Sequence, residues 1–306
     1  MIYITGDIHG DIMPLLEFIE EQQLGAADTI ILLGDAGLNF YGNHQGDGRK
    51  KQRLNKTGVT IFCIHGNHEK RPQTISTYKE KLWNGGIVYE EAPYPNLKFA
   101  KDGEVYDLDG FKTIVIGGAY SVDKYYRLGR GIPWFSDEQP SDEIKASVEK
   151  KLDESNWCID FVLSHTCPAK YIPVEAFLPG LSQDEVDRST EDWLDSIEDK
   201  LSYISWYCGH WHINKRIDNM HFLMECKETL PIDSPDDPFY SESNMKHLAA
   251  VIADVEAGKN MAVHELIDEE LLDAMKEAKE ISADPNVKSY STMEASTMEE
   301  LKAALE

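Results

Sequence analysis

The chain has 306 residues, and its 55 acidic against 30 basic side chains give a formal net charge of −25. So acidic a surface repels phosphate backbones and anionic lipids, which argues against a general nucleic-acid or membrane binder. A hydrophobic fraction of 42% and an aromatic fraction of 10% are typical of a globular protein. No stretch of 18 apolar residues occurs, so the sequence predicts no membrane-spanning helix.

Cysteine usage and the N-terminus favour a reducing compartment. The five cysteines are odd in number, widely spaced and free of CxxC pairs, which is not the pattern of a disulfide framework. Cys63, Cys158 and Cys208 lie in or beside apolar runs, and we expect them to be buried thiols. The N-terminal sequence MIYITGDIHG lacks the basic region and apolar core of a signal peptide. We therefore expect a cytoplasmic protein.

Short apolar runs alternate with amphipathic stretches along the first 255 residues. Residues 1–5 predict a strand, and apolar residues recurring at helical spacing from Ile12 to Ile19 predict a helix that ends near Gly25. Further strands are predicted at residues 29–33, 59–64, 113–116, 159–164 and 203–208, and shorter ones at residues 222–224 and 247–255. An acidic surface helix is predicted at residues 184–200. This alternation of strands and helices predicts an α/β fold.

The C-terminal part of the chain has a different character. Residues 228–244 contain three prolines and little periodicity, which predicts a loop or insertion. Residues 265–306 carry twelve acidic side chains against four lysines, with helices predicted near residues 265–281 and 298–305. We therefore divide the chain into a catalytic domain at residues 1–255 and an acidic, helical appendage at residues 256–306. That appendage is a candidate surface for a protein partner.

Five of the predicted strands end in Asp, Asn or His, which predicts one convergent site, because ligands in open α/β sheets bind beyond the carboxyl ends of strands. The blocks, in chain order, are Gly6-Asp7-Ile8-His9-Gly10, Gly34-Asp35, Gly66-Asn67-His68-Glu69, Ser164-His165 and Gly209-His210-Trp211-His212. In the first and last blocks the polar residues alternate with Ile8 and Trp211, and this spacing points both polar side chains to the same side of an extended segment.

In order and spacing these blocks give the pattern DxH, GD, GNHE, H and GHxH, which resembles the calcineurin-like metallophosphoesterase superfamily over about residues 1–255. Within it the chain looks like bacterial and phage members related to Ser/Thr phosphatases. The resemblance implies a four-layer α/β/β/α sandwich of two mixed β-sheets flanked by helices. It implies a hydrolase that cleaves phosphate mono- or diesters.

The resemblance also implies the role of each motif residue. Asp7, His9 and His212 would hold one metal ion, Asn67, His165 and His210 a second, and Asp35 would bridge the two. A metal-bridging hydroxide would attack phosphorus. His68 would be the general acid that donates a proton to the leaving oxygen.

The donor types restrict the metal ions. Two-metal phosphoesterases hold their cations roughly 3.5–4 Å apart, which requires a bridging ligand. Oxygen donors combined with neutral imidazoles suit Mn, Fe or Zn, whereas Mg and Ca prefer oxygen donors alone. The cofactor prediction is therefore two divalent ions drawn from Mn, Fe and Zn.

The second block departs from the pattern of protein phosphatases. Leu38 stands where those proteins carry the carboxylate that orients the catalytic His, and the phosphate-binding Arg that follows it is absent. Asn39 is a candidate for the orienting role. Arg71, in a GNHExR-like stretch, is a candidate phosphate ligand, with a plain surface ion pair as the alternative.

A basic, tyrosine-rich block at residues 117–131 is a second candidate for substrate binding. Lys124, Arg127 and Arg130 stand out in so acidic a chain, because Arg offers a bidentate fork for phosphate and tyrosines can stack on a base or sugar. Under this hypothesis Arg127→Ala raises the Michaelis constant without changing metal content. The alternative is a cationic loop that pairs with the acidic surface.

The leading functional prediction is a binuclear metal-dependent phosphoesterase acting on a small phosphorylated molecule or nucleotide, since the acidic surface disfavours long nucleic acids. Two alternatives remain open. One is a nuclease or phosphodiesterase acting on nucleic acid. The other is a catalytically weak binding module on the same scaffold.

Overall fold

The buried apolar runs of the chain assemble into two β-sheets. We describe a computed structural model over residues 1–177 and 186–224, together with the backbone of residues 228–230. The strands of the first sheet are β1 (Ile2–Thr5), β2 (Thr29–Leu32), β3 (Thr60–Cys63), β4 (Tyr78–Trp83), β5 (Gly86–Glu91), β6 (Leu97–Ala100) and β13 (Glu228–Leu230). The strands of the second sheet are β7 (Val105–Leu108), β8 (Phe111–Ile116), β9 (Phe161–Ser164), β10 (Ser205–Cys208), β11 (Lys215–Ile217) and β12 (Met220–Phe222).

Both sheets are mixed. The first has the order β13-β1-β2-β3-β6-β5-β4, in which β1, β2, β3 and β6 are parallel and the outer strands antiparallel. The second has the order β11-β12-β10-β9-β8-β7, in which β8, β9, β10 and β12 are parallel. The carboxyl ends of each parallel set therefore lie on one edge of their sheet, as the motif positions require.

Helices cover the outer faces of the two sheets. These are α1 (Met13–Glu21), α2 (His44–Asn55), α4 (Asp142–Glu154) and α5 (Ser189–Glu198), while a fifth helix in the described residues, α3 (Lys124–Arg130), follows β8. Apolar residues of α1 and α2 pack on the first sheet, and those of α4 and α5 pack on the second. A separate buried cluster, which includes Phe62 of β3 and Phe161 of β9, fills the space between the sheets.

Strand β2 illustrates why the sequence folds into these layers. Ile30 and Leu32 pack against the helices, whereas Ile31 and Leu33 pack against the second sheet, so successive side chains point to opposite faces. The sequence of a strand that is buried on both faces is a continuous apolar run, and this segment has that pattern. The architecture is the four-layer α/β/β/α sandwich that the resemblance implies, and the predicted fold class is confirmed.

Several sequence-based expectations differ from the structure in detail. Helix α1 ends at Glu21, four residues before the expected stop, and α5 is shorter than the stretch predicted at residues 184–200. Strand β12 ends where a strand was expected to begin. Cys158 is exposed instead of buried, because it follows α4 in a turn and only bridges to Ser202. Cys63, Cys167 and Cys208 are buried free thiols.

The predicted strand at residues 247–255, the boundary near residue 255 and the two C-terminal helices lie outside the described residues. Strand β13 falls within the stretch predicted as a loop, so three of those residues pair with β1 instead. No helix in the described part of the chain has both the length and the apolar character that crossing a bilayer requires.

Candidate metal centre

The polar residues that follow five of the parallel strands meet beyond the edges of the two sheets. Asp7 and His9 follow β1, Asp35 follows β2, Asn67 follows β3, and the remaining histidines follow β9 and β10. Ligand atoms of Asp7, His9 and His212 lie within 4.8 Å of one another, as do those of Asp7, Asp35 and His165. The structure thus brings together all seven side chains that the motifs predicted.

Asp7, His9 and His212 form the outer half of this cluster. The Nε2 atoms of His9 and His212 lie 2.9 Å apart, and Asp7 Oδ2 lies 3.4 Å from His212 Nε2. Asp7 Oδ1 accepts a hydrogen bond of 2.9 Å from the backbone N–H of His210, whereas Oδ2 is buried without a hydrogen-bond partner. A buried carboxylate oxygen directed at two imidazoles fits a cation-binding position.

Asn67, His165 and His210 form the inner half. His165 Nδ1 lies 2.8 Å from the backbone oxygen of Leu33, and a carbonyl oxygen only accepts, so Nδ1 carries the proton. In neutral His165 this leaves Nε2 as an acceptor, yet it lies 2.8 Å from another acceptor, Asn67 Oδ1. His210 Nδ1 lies 3.2 Å from the same oxygen. Lone pairs that converge in this way fit a metal ion placed between them.

Hydrogen bonds to residues outside the cluster fix the orientation of the Asn67 side chain. Its Nδ2 atom donates a hydrogen bond of 2.8 Å to Ser121 Oγ, and the Ser121 side chain in turn hydrogen-bonds Glu138. Glu138 also accepts from the indole of Trp134 at 2.7 Å. This chain keeps the amide oxygen of Asn67 directed at the histidines.

Protonation in the cluster suits metal binding. Burial and the nearby His165 hold the pKa of His210 well below its ordinary value, so this imidazole is neutral at pH 7. Burial alone would raise the pKa of Asp35, but the imidazoles of His165 and His68 outweigh it and lower that pKa. The result is an ionised Asp35 carboxylate beside the neutral imidazole of His210, which is the ligand form of both groups.

Backbone strain is concentrated at this site. Among the described residues, ten non-glycine residues have positive φ, and four of them are His9, Asp35, His210 and His212. Such conformations persist only where the surrounding structure enforces them, and they cluster at functional sites.

Two glycines are required by the packing of the ligand side chains. Gly34 has φ of +98°, and a Cβ atom there would overlap the imidazole of His165. A Cβ atom at Gly209 would overlap the carboxylate of Asp7. Each of these glycines precedes one residue of the cluster in the sequence and makes room for another that follows a different strand.

His68 lies beside the cluster, between two carboxylates. Its Nδ1 atom is 3.4 Å from Asp35 Oδ2, and its Nε2 atom is 3.4 Å from Asp123 Oδ1. Burial lowers the pKa of His68, and the Asp35 carboxylate opposes that shift. Asp123, at the start of α3, was not among the predicted site residues. The sequence feature that could have identified Asp123 is its position in a polar loop after β8, which is a sixth parallel strand.

Arg127 holds Asp123 instead of facing the cluster. Its Nε atom donates a hydrogen bond of 2.7 Å to Asp123 Oδ2, and Nη1 donates to the backbone oxygen of Pro133 at 3.1 Å. The guanidinium is buried and engaged in these contacts. Of the other two cations predicted in this block, Lys124 packs over the ring of Trp134 and Arg130 over that of Tyr126.

Arg71 and Asn39 also lie in internal contacts. Arg71 forms a buried ion pair with Asp102, and its Nε atom donates to the backbone oxygen of Asp137 at 2.7 Å. Asn39 Oδ1 accepts from Lys51 and Tyr78, each at 2.8 Å, within a buried network. Asn39 is therefore not brought to His68. Arg71 is in an ion pair, as the alternative expected, but that pair is buried and does not lie on the surface.

A cavity of about 610 Å³ opens beside the cluster, and we call it the site cavity. Asp35, Asn67, His68, His210 and His212 lie along it. Its remaining lining includes the rings of Tyr120, Tyr125, Phe177 and Trp211, and one guanidinium, that of Arg188. Among the described lining residues Arg188 is the single lysine or arginine. It was not predicted, because it lies in an acidic segment without a motif.

Comparisons with known proteins agree with this geometry. The family model described as calcineurin-like phosphoesterase matches residues 1–214, more than half of the chain. The match includes every residue of the cluster. A search of curated proteins gave no match. The order of the sheets, the cluster of Asp and His side chains at their carboxyl edges and this match lead to one conclusion: the chain belongs to the calcineurin-like phosphoesterase family.

Proposed function

We propose that the chain is a binuclear metal-dependent phosphoesterase that hydrolyses small phosphate esters. Asp7, His9 and His212 would hold one divalent ion, and Asn67, His165 and His210 the other, with Asp35 between them. The observation that carries this proposal is the meeting of imidazole nitrogens with the buried, unpartnered Asp7 Oδ2 and the amide oxygen of Asn67. Mn, Fe and Zn suit this mixture of donors.

The bound ions would supply positive charge for the phosphoryl oxygens and would lower the pKa of a water molecule. The remaining chemistry belongs to the chain itself. His68, 3.4 Å from both Asp35 and Asp123, would bind near the leaving oxygen and donate a proton to it as the ester bond breaks. We propose that Asp123 fixes the ring of His68, in place of the carboxylate that Leu38 replaces, and that Arg127 holds Asp123.

The test is an assay of purified protein with Mn²⁺, Zn²⁺ or Mg²⁺ on p-nitrophenyl phosphate and on bis(p-nitrophenyl) phosphate. We expect metal-dependent hydrolysis that Asp35→Asn reduces by about 100-fold or more and His68→Ala by about tenfold. Bound metal is counted in the same samples by mass spectrometry, with two ions per chain expected. Full activity in both variants would contradict the mechanism.

The ratio of the two activities separates a monoesterase from a diesterase. Absence of hydrolysis with every metal, combined with two bound ions, would favour the binding module. A preference for oligonucleotides over both aryl esters would favour the nuclease.

A further inference from the structure

The lining of the site cavity carries information about the substrate. Its volume of about 610 Å³ falls within the range of small-molecule sites, about 300–1,000 Å³. A cavity of that volume can hold a small phosphate ester but is too small to hold a folded protein. The cavity reaches from the candidate metal centre to side chains that play no part in holding metal.

Aromatic rings from separate segments line this cavity. Tyr120 and Tyr125 come from the segment after β8, Phe177 follows β9, and Trp211 follows β10. Phe177 and Trp211 are stacked, with centroids 5.8 Å apart and planes inclined by 19°. Tyr125 is 67% exposed, so its ring adds little to the core. Flat rings beside a polar centre suit a ligand that carries a ring of its own.

Arg188 differs from the other arginines near the site. Arg71 and Arg127 are paired with Asp102 and Asp123, whereas the half-buried Arg188 forms no side-chain ion pair or hydrogen bond with any other described residue. It lines the cavity together with the carboxylates of Asp187 and Glu191. In a chain of net charge −25, a guanidinium that remains available to the cavity suits an anionic oxygen of a ligand.

We propose that the site cavity selects phosphate esters of ring-bearing alcohols, with the ring held against Tyr125 and Trp211 and an anionic oxygen of the ester bound by Arg188. This inference rests on the proposed function for the position of the phosphate. The shared chemistry of the substrates is a flat aromatic ring joined to a phosphate, as in nucleoside monophosphates and phenolic phosphates.

The test measures binding of two non-hydrolysable probes, phenylphosphonate and methylphosphonate, to the Mn²⁺-loaded protein by titration calorimetry. The probes differ by the ring, and we expect phenylphosphonate to bind about tenfold more tightly. Tyr125→Ala should weaken phenylphosphonate about fivefold and leave methylphosphonate unchanged. The matched control is Tyr126→Ala, because Tyr126 is 60% exposed but does not line the cavity.

A second pair of variants tests the guanidinium. Arg188→Ala should weaken both probes about tenfold or more, and Arg188→Lys should recover part of the loss. The control is Arg130→Ala, which removes the same charge from a residue packed on Tyr126, outside the cavity. The ratio of kcat/KM on adenosine monophosphate to kcat/KM on phenyl phosphate then shows whether the protein prefers nucleoside monophosphates or phenolic phosphates.

Equal binding of the two probes, or equal effects of Tyr125→Ala and Tyr126→Ala, would overturn the inference, and so would the absence of binding by both probes. Hydrolysis of p-nitrophenyl phosphate by a protein that binds both probes equally would overturn this inference and leave the proposed function intact. A ring preference without hydrolysis would support the inference and count against the proposed function.

Discussion

At the scale of single residues, the site depends on contacts that orient each functional side chain. Asp7 is fixed through a backbone N–H, His165 through the carbonyl of Leu33, and His68 through two carboxylates. For Asp7 and His165 the contact leaves one side-chain atom directed at the centre. The chemistry of these residues therefore depends on partners that are distant in the sequence.

The proposed proton donation by His68 predicts a dependence on the leaving group. We expect His68→Ala to lower kcat about 100-fold on phenyl phosphate but much less on 2,4-dinitrophenyl phosphate, whose leaving group needs no proton. Asp123→Asn should show the same trend with a loss of about tenfold, and KM should change little in either variant. The measurement is steady-state kinetics over a series of aryl phosphates. Equal losses across that series would contradict the assignment.

Arg127→Ala provides a test between two roles. The sequence-based hypothesis of a phosphate ligand predicts a higher KM, whereas the pairing of Arg127 with Asp123 predicts a lower kcat, about tenfold, with KM within about twofold. The reason is that Asp123 loses the partner that fixes it beside His68. Metal content should stay unchanged. A rise in KM alone would restore the substrate-binding role.

Glu69 gives a prediction for the pH dependence of stability. Burial and the Asp35 carboxylate raise the pKa of Glu69 from 4.5 to about 8. Because the folded-state pKa lies above the unfolded value, the folded protein loses stability as pH rises from about 4.5 to about 8. We expect Glu69→Gln to raise Tm at pH 8 and to have little effect at pH 4.5, measured by thermal unfolding in EDTA. Glu20→Gln, on the exposed side of α1, is the control and should change Tm at neither pH.

At the scale of secondary structure, short turns after parallel strands position the seven clustered side chains. We expect Gly34→Ala to weaken Mn²⁺ binding about tenfold or more, because the added Cβ displaces His165. Gly85→Ala is a matched control: Gly85 also has positive φ, +82°, but no atom outside its chain neighbours lies within 4 Å of an added Cβ. Metal titration and Tm are measured for both variants. A similar loss of metal affinity in both would show that backbone strain, and not contact with His165, is responsible.

At the scale of the whole molecule, the net charge of −25 acts against an anionic substrate. Salt screens this repulsion, so we expect kcat/KM on p-nitrophenyl phosphate to rise about two- to threefold between about 20 and 200 mM NaCl. Potassium glutamate should give the same increase, which excludes a specific effect of chloride. A fall in kcat/KM with salt would indicate that local positive charge at the site dominates the approach of the substrate.

The sequence by itself predicted the strands and the seven Asp, Asn and His side chains that the structure brings together. Doubly buried strands such as β2 are continuous apolar runs, and the strand edges are marked by local motifs that place Gly beside Asp, Asn or His. Local patterns of this kind can be recognised without knowing the tertiary structure, because strand formation and turn formation depend on neighbouring residues. The seven clustered side chains and His68 were therefore identifiable before their geometry was known.

Only the tertiary structure decided which charged residues face the site. Arg127, Arg71 and Asn39 carry suitable chemistry, yet Arg127 is paired with Asp123, Arg71 with Asp102, and Asn39 with Lys51 and Tyr78. Asp123 and Arg188, by contrast, line the site cavity without belonging to any motif. The physical reason is that a side chain's role depends on what lies within hydrogen-bonding distance. That is set by the packing of segments far apart in the chain, which periodicity and spacing along the sequence do not record.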